Sequence, residues 1–342
     1  MQQESAQIGL QEVGLEEGYV NIPGARVFYI HAGSGPPMLL IHGLVGSSAN
    51  WRDIIPALAQ HSSVYAIDLV NMGRSQRVGG LDPRLHATAR RIAAVMDALH
   101  LAQADIVAHS HGGAIALMLA ALYPKRVRRL ILFAPANPFS RSSDPMIRLY
   151  STPWGGLLAW TLPYLPARLQ RIALGKLYGG PDRVLDRCLQ EIVHCLRNPG
   201  TLRHVLCILR CWFTEMPKLG MALRRIRRKP ILLVWGDRDV TVSLRSGTKL
   251  HRKLHADLVV VPGCGHSVFE EMPEQSNRIL LDWLAKNPLT AVTVAKSKRR
   301  APAHNGTVQH LRQSSPAVRE SGGVWLGDQS GSPASPVVHE IS

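Results

Sequence analysis

At 342 residues the chain can bury one large core, and α/β domains of about 200–250 residues fold as single units. Its 40 Lys and Arg against 24 Asp and Glu give a formal net charge of +16, which points toward an acidic partner or surface. The basic residues are scattered rather than gathered in a recognised module, which argues against nucleic-acid binding, and no window reaches the roughly 18–20 apolar residues of a membrane span.

The acidic start, MQQESAQIGLQEVGLEEG, lacks the basic-then-apolar pattern of a secretory signal and predicts a cytoplasmic protein. Tyr19–Ile22 and Arg26–Ile30, split by Pro23-Gly24, predict a β-hairpin. Pro37–Ile41 is a short continuous apolar run, the mark of a strand buried on both faces. It ends at a loop of small residues, His42-Gly43-Leu44-Val45-Gly46-Ser47-Ser48, before an expected helix around Trp51 to Gln60. Ser63–Ile67 is the next strand, followed by the loop Asp68 to Ser75. Apolar residues at helical spacing (Ile92, Val95, Met96, Leu99) predict a helix over Pro83–Leu101 with Asp82 as its N-cap. A strand then leads into Ser110, a helix follows it, and Val127–Phe133 is a further strand.

From Pro138 to Arg228 the alternation stops. This segment reads as a helical insertion, broken by Pro and Gly, that carries much of the positive charge, including Arg141, Arg148, Arg168, Arg171, Lys176, Arg183, Arg227 and Arg228. The apolar run Trp154 to Pro166 within it reads as the inner face of a lid, with Trp154, Leu157, Leu158, Trp160, Leu162 and Tyr164 forming either a channel wall or the lid's own core. Peripheral contact with a membrane surface through this cap is a further expectation. Strands resume at Pro230–Trp235 and Leu258–Val261, and a helix runs from Pro273 to Lys286. The expected organisation is therefore a core over residues 1–137 and 229–287, a cap over 138–228, and a disordered, weakly basic tail over 288–342. Strands alternating with helices imply a mostly parallel sheet covered on both sides, an α/β fold whose active site lies beyond the carboxyl ends of the strands. The five cysteines (188, 195, 207, 211 and 264) are odd in number and lack paired spacing; they read as reduced thiols, with no zinc site.

The stretch Ala108-His109-Ser110-His111-Gly112-Gly113 sits between a strand and a helix, with a serine at the apex and small residues two before and two after it. Such a turn forces strand and helix so close that larger side chains would clash, and it is the nucleophile-elbow pattern. A serine hydroxyl is a poor nucleophile unless a histidine takes its proton and a carboxylate holds that histidine in the right tautomer. Downstream, Gly236-Asp237-Arg238-Asp239 and Gly263-Cys264-Gly265-His266 each follow a strand, in the order the elbow enzymes use: Ser110, Asp239, His266. Asp239 is preferred over Asp237, which is suited to capping its own turn. The backbone N–H groups of His111 and Leu44 are the expected oxyanion donors. His42 with Gly43 supports that loop, Asp68 ties down its own, and His109 packs beside the elbow; the His111 side chain faces either the pocket or the packed interior.

His42-Gly43, Asp68-x4-Gly73-x-Ser75, the Ser110 elbow, Gly236-Asp-Arg-Asp239 and Gly265-His266 with Glu271-x-Pro273 together resemble the α/β-hydrolase superfamily, over roughly residues 19–136 and 229–286. Ala108 departs from it by replacing the first elbow glycine. Ser110 sets the chain apart from the dehalogenase and epoxide hydrolase branches, which attack with Asp. The resemblance implies an α/β-hydrolase fold, acyl transfer to water, and no metal or organic cofactor. The expected substrate is a small or medium carboxylic ester or other acyl compound. Cleavage of a C–C bond in a diketone acid, acyl transfer to another acceptor, and a non-catalytic ligand-binding role are the alternatives.

Overall fold

The computed structural model describes residues 14–140, 144–175, 178, 180, 184–226 and 229–289. The expected tail therefore lies outside the described residues from 290 onward, as do Arg141, Lys176, Arg183, Arg227 and Arg228.

Gly24, at φ +80°, turns the chain between β1 (Glu16–Ile22) and β2 (Ala25–Ala32), a hairpin with Val20 opposite Val27. Six further strands follow: β3 (Pro37–Ile41), β4 (Ser63–Ile67), β5 (Ala104–His109), β6 (Val127–Phe133), β7 (Ile231–Gly236) and β8 (Asp257–Val261). They form one sheet in the order β1-β2-β4-β3-β5-β6-β7-β8, antiparallel at β1/β2 and β2/β4 and parallel from β4 to β8. Strand side chains alternate between faces, and here both faces are apolar. Leu39, Ile41, Leu130 and Leu132 join one core cluster, while Met38, Leu40, Ile131 and Phe133 join the other. Double burial explains why these strands read as unbroken apolar runs.

The stretch expected as one helix around Trp51 is instead a 3-10 turn over Ser48–Trp51 and a short α1 (Ile55–Ala59). Ser47 and Asn50 close a capping box on the first piece. Pro56 lacks an N–H and is tolerated only in a helix's first turn, so a helix must restart there rather than run through. In α2 (Leu85–Ala98) the expected cap is also corrected: Asp82 lies too early and grips the Arg84 amide and guanidinium. The Leu85 N–H is taken instead by the buried carboxylate of Glu215, at 3.0 Å. α3 (Ser110–Leu122) is apolar on every side because it is buried on every side.

Between β6 and β7 the described chain is helical: α4 (Asp144–Ser151), α5 (Pro153–Thr161), α6 (Ala167–Leu174), α7 (Asp186–Arg197) and α8 (Pro199–Ala222). Leu174, Tyr178, Leu189 and Leu206 belong to a separate apolar cluster, whereas Ile208, Trp212 and Leu219 of α8 join the main core. The inward orientation expected for Trp154–Pro166 holds only for part of the run. Trp154 is 80% exposed and Tyr164 69%, with Leu157 and Leu158 also outside. The reason is packing through small residues: at Gly155 a Cβ would lie 1.9 Å from the Leu149 carbonyl oxygen, and Gly156 and Ala159 are buried with it. The bulky residues are left on the opposite face; Leu162 and half-buried Trp160 alone of the six pack against the insertion's cluster. The chain finishes with α9 (Leu244–Leu254), α10 (Val268–Glu271) and α11 (Pro273–Lys286). No helix among the described residues is long and apolar enough to cross a membrane.

Candidate active site

Ser110 stands at the end of β5 with φ +50°, a left-handed conformation that costs a residue with a Cβ about 1–3 kcal/mol. The surroundings enforce it. A Cβ at Gly112 would lie 2.4 Å from the His42 carbonyl oxygen and 2.6 Å from that of Ile41, and one at Gly113 would lie 2.4 Å from the Pro135 ring. Helix α3 therefore starts against the end of β3, and Ala136 N–H donates to the Ser110 carbonyl at 2.9 Å. Ala108 is fully buried, so a methyl is accommodated where the elbow pattern has glycine. As the second residue of α3, His111 has a backbone N–H without an intrahelical acceptor, and it lines the same cavity as Ser110 and Leu44.

The three residues drawn from distant parts of the sequence meet here. Ser110 Oγ lies 2.8 Å from His266 Nε2, and His266 Nδ1 lies 2.7 Å from Asp239 Oδ2. Asp239 and His266 are both buried. The other oxygen of Asp239 accepts the N–H groups of Thr241 at 2.8 Å and Val242 at 2.9 Å, which fixes the carboxylate plane. Asp237 points elsewhere, its Oδ1 accepting Gly263 N–H at 2.6 Å. Gly265 N–H reaches both carboxylate oxygens of Glu271 at 3.0 Å, so the loop carrying His266 is tied at two points.

His42 is fully buried, with Nδ1 2.7 Å from the Gly43 carbonyl and Nε2 accepting Leu69 N–H at 3.0 Å. Both nitrogens are committed to backbone, and burial pushes its pKa down, so it is a neutral brace. A Cβ at Gly43 would meet His109 Nδ1 at 2.8 Å, which explains the glycine. Asp68 accepts Ser48 N–H at 2.6 Å and Arg74 N–H at 2.5 Å, joining the loops after β3 and β4. His109 stacks its edge on Phe269 and holds the His266 carbonyl at 3.1 Å; burial, and next His266, keep its pKa well below the ordinary histidine value.

Ser110 and His266 open onto a cavity of about 710 Å³. Its walls come from the core (Leu44, Val45, Val242) and from the insertion (Ile147, Leu162, Leu174, Val205, Trp212), and they are mostly apolar. Among the described residues no Lys or Arg lines it. His111 lines this cavity, its ring 6.3 Å from that of Trp212. Its buried Nδ1 has no hydrogen-bond partner, and burial, followed by His204 and His42, pushes its pKa down to about 3.

Comparison with known proteins agrees with this fold. A family profile described as alpha/beta hydrolase fold matches residues 36–180. The 2-hydroxy-6-oxo-6-phenylhexa-2,4-dienoate hydrolase of Burkholderia cepacia is 30% identical over 282 residues, covering 78% of this chain and 94% of that protein. The chain belongs to the α/β-hydrolase family. A second relative, the 2-hydroxy-6-oxo-2,4-heptadienoate hydrolase of Pseudomonas putida, is 28% identical over 287 residues, covering 81% of this chain and 99% of that one. The solved structure of a meta-cleavage product hydrolase from Pseudomonas fluorescens superposes with a TM-score of 0.66 at 25% identity, over 81% of this chain and all of that one.

Sequence reasoning missed one polar feature of this α/β hydrolase's cavity. Glu270 is 5% exposed and lines it; it accepts from Asn50 Nδ2 at 2.7 Å and from the Tyr178 hydroxyl at 2.9 Å. Burial raises its pKa, against the lowering effect of those two hydrogen bonds. Cys188 lies beside it, and burial lifts that thiol to about 12, which leaves it unreactive. The available signal was slight: an acid four residues after His266, directly behind the apolar pair Val268-Phe269.

Proposed function

We propose that the chain is a serine hydrolase that forms an acyl-enzyme on an uncharged, largely apolar carboxylic ester. The observation that carries this reading is the relay from Asp239 through His266 to Ser110, 2.7 and 2.8 Å per step, at the floor of an apolar cavity. His266 Nδ1–H donates to Asp239, which leaves Nε2 free to take the Ser110 proton as Oγ attacks the ester carbonyl carbon. The developing oxyanion is placed between the N–H groups of Leu44 and His111, where loss of one such donor typically costs about 10²–10³ in rate. His266 then returns the proton to the leaving alcohol, and a water deprotonated by the same histidine releases the acid. A cavity of about 710 Å³ suits a medium-length acyl chain.

The relatives' names bring a second reading, cleavage of a C–C bond in a diketone acid. The same serine relay supports it. The cavity lining weighs against it, because a substrate carboxylate would be buried with no cation among the described wall residues. The test is paired kinetics. p-Nitrophenyl octanoate and a 2-hydroxy-6-oxo-dienoate acid are offered to the wild-type chain and to Ser110→Ala. The ester reading expects turnover of the octanoate ester, lost in the folded variant, with kcat/KM above that for the acid. A higher kcat/KM for the acid would establish the second reading, and ligand binding with turnover of neither would leave a non-catalytic binding role.

A further inference from the structure

Twelve large apolar side chains are exposed among the described residues, and eight of them fall between Met146 and Ile172. Single exposed apolar residues are normal on any surface, but a contiguous set marks an interaction face. Here α4 contributes Leu149, α5 contributes Trp154, Leu157 and Leu158, and Leu169 and Ile172 continue the set on α6, with Tyr164 between the last two helices. Helix α5 carries no charged residue at all. Over residues 144–174 the only acid is Asp144, against Arg148, Arg168 and Arg171. Arg148 and Arg168 are exposed, Arg148 stacking 4.6 Å above Phe213, whereas Arg171 is paired with Asp186. The inner sides of the same helices line the cavity above Ser110, through Ile147, Tyr150, Ala159, Leu162 and Leu174.

We propose that α4–α6 form a docking face for an anionic lipid surface. Trp, Tyr and Leu, with exposed Arg148 and Arg168 on the same helices, match the chemistry of the headgroup boundary: apolar side chains enter the acyl region while those two guanidinium groups meet lipid phosphates. Charge selects this occupant over a second copy of the chain. In a twofold contact the same patch meets itself, which would bring Arg148 and Arg168 of both copies to one interface with Asp144 as the only acid over residues 144–174, whereas an anionic bilayer attracts them. Docking places the cavity walls next to the bilayer, where an apolar ester concentrates. That consequence rests on the hydrolase reading; the docking does not.

The experiment uses the full chain carrying Ser110→Ala, so that binding is measured without turnover. It is cosedimented with vesicles of phosphatidylcholine alone and of phosphatidylcholine with a quarter phosphatidylglycerol. The expected result is binding to the anionic vesicles that weakens with added salt. Adding Trp154→Asp and Leu157→Asp, neither of which lines the cavity, should weaken that binding by about tenfold or more with the melting temperature unchanged. In the background with Ser110 intact, the same two changes should leave hydrolysis of a water-soluble ester as it was. Equal vesicle binding by the double variant, or no binding by the parent, overturns the proposal. So does a parent that is dimeric by light scattering and becomes monomeric with the two changes, because the face is then a protein interface. Vesicle binding without ester turnover by the wild-type chain would keep the docking and remove the hydrolase reading.

Discussion

Replacing Asp239 with Asn tests the relay with almost no change in shape. Oδ1 of Asp239 accepts two backbone N–H groups, from Thr241 at 2.8 Å and Val242 at 2.9 Å. An asparagine must keep its carbonyl oxygen there, since turning the amide over would aim its NH₂ at two donors. The NH₂ therefore takes the place of Oδ2, 2.7 Å from His266 Nδ1. That nitrogen must then accept, so the imidazole proton moves to Nε2, which lies 2.8 Å from Ser110 Oγ and can no longer take the serine proton. The wrong tautomer costs about 10³–10⁴-fold in kcat, or roughly 4–5.5 kcal/mol of barrier, by analogy with the same change in serine proteases. Octanoate-ester hydrolysis with a matched thermal melt is the assay. Asp237→Asn is the control: its carbonyl can still accept Gly263 N–H, so its kcat should stay within about twofold. An Asp239→Asn enzyme that is folded and keeps a tenth or more of wild-type kcat would refute the tautomer argument. Equal loss in both variants would remove the assignment of the acid.

Two other changes probe the scaffold around the site. Gly112→Ala puts a methyl 2.4 and 2.6 Å from two backbone oxygens of the β3 end, so α3 must shift. The expected outcome is a loss of about 1–3 kcal/mol in stability and about 10² in kcat, read by denaturant titration and ester kinetics; an unchanged kcat would show that the elbow has slack. Glu215→Ala strips the acceptor from Leu85 N–H inside the protein and should cost about 1–3 kcal/mol, lowering the melting temperature by several degrees. Glu215→Gln, which still offers an oxygen, should recover most of it, and a shift below one degree for the alanine variant would mean that water replaces the bond.

What was legible in the sequence is what obeys short-range rules. The buried strands show as unbroken apolar runs, and the elbow shows because steric closeness demands small residues at fixed offsets around Ser110. Asp239 and His266 were legible because each follows a strand end, and a parallel sheet gathers its strand ends on one edge. The choice of Asp239 rested on a turn-capping role for Asp237, and the structure places both differently from that local rule: Asp237 accepts Gly263 N–H on the loop before His266, while Asp239 both caps its own turn and reaches His266. What was not legible depends on tertiary partners. The cap of α2 comes from Glu215, 130 positions away, so the local rule selected Asp82. The orientation of Trp154, Leu157 and Leu158 was misjudged because hydrophobicity alone says that a residue is apolar, not which side of its helix the small residues will bring into contact. Gly155 and Gly156 decide that, and only the position of the Leu149 carbonyl reveals it.

The seam between insertion and core adds a constraint that the relay alone does not show. Arg187 pairs with Asp53 at 2.5 Å, Arg52 pairs with Glu191, Thr201 donates to the Asn71 carbonyl at 2.7 Å, and Tyr178 donates to Glu270. Buried or half-buried pairs of this kind contribute little net stability, because desolvation offsets most of the attraction. They are demanding about geometry, however, since an unmet partner costs the full desolvation of the group left behind. Glu270 lies on α10, four residues beyond His266, so the hydrogen bond from Tyr178 couples the insertion to the loop that carries His266. Changes on the cavity side of the insertion, such as at Leu206 or Val205, can reshape the space for substrate while leaving this seam intact. Changes at Tyr178 or Asn50 cannot, because they release a buried carboxyl beside the relay, and so substrate preference can be altered at Val205 and Leu206 of α8 but only with loss of the relay's support at the α10 seam.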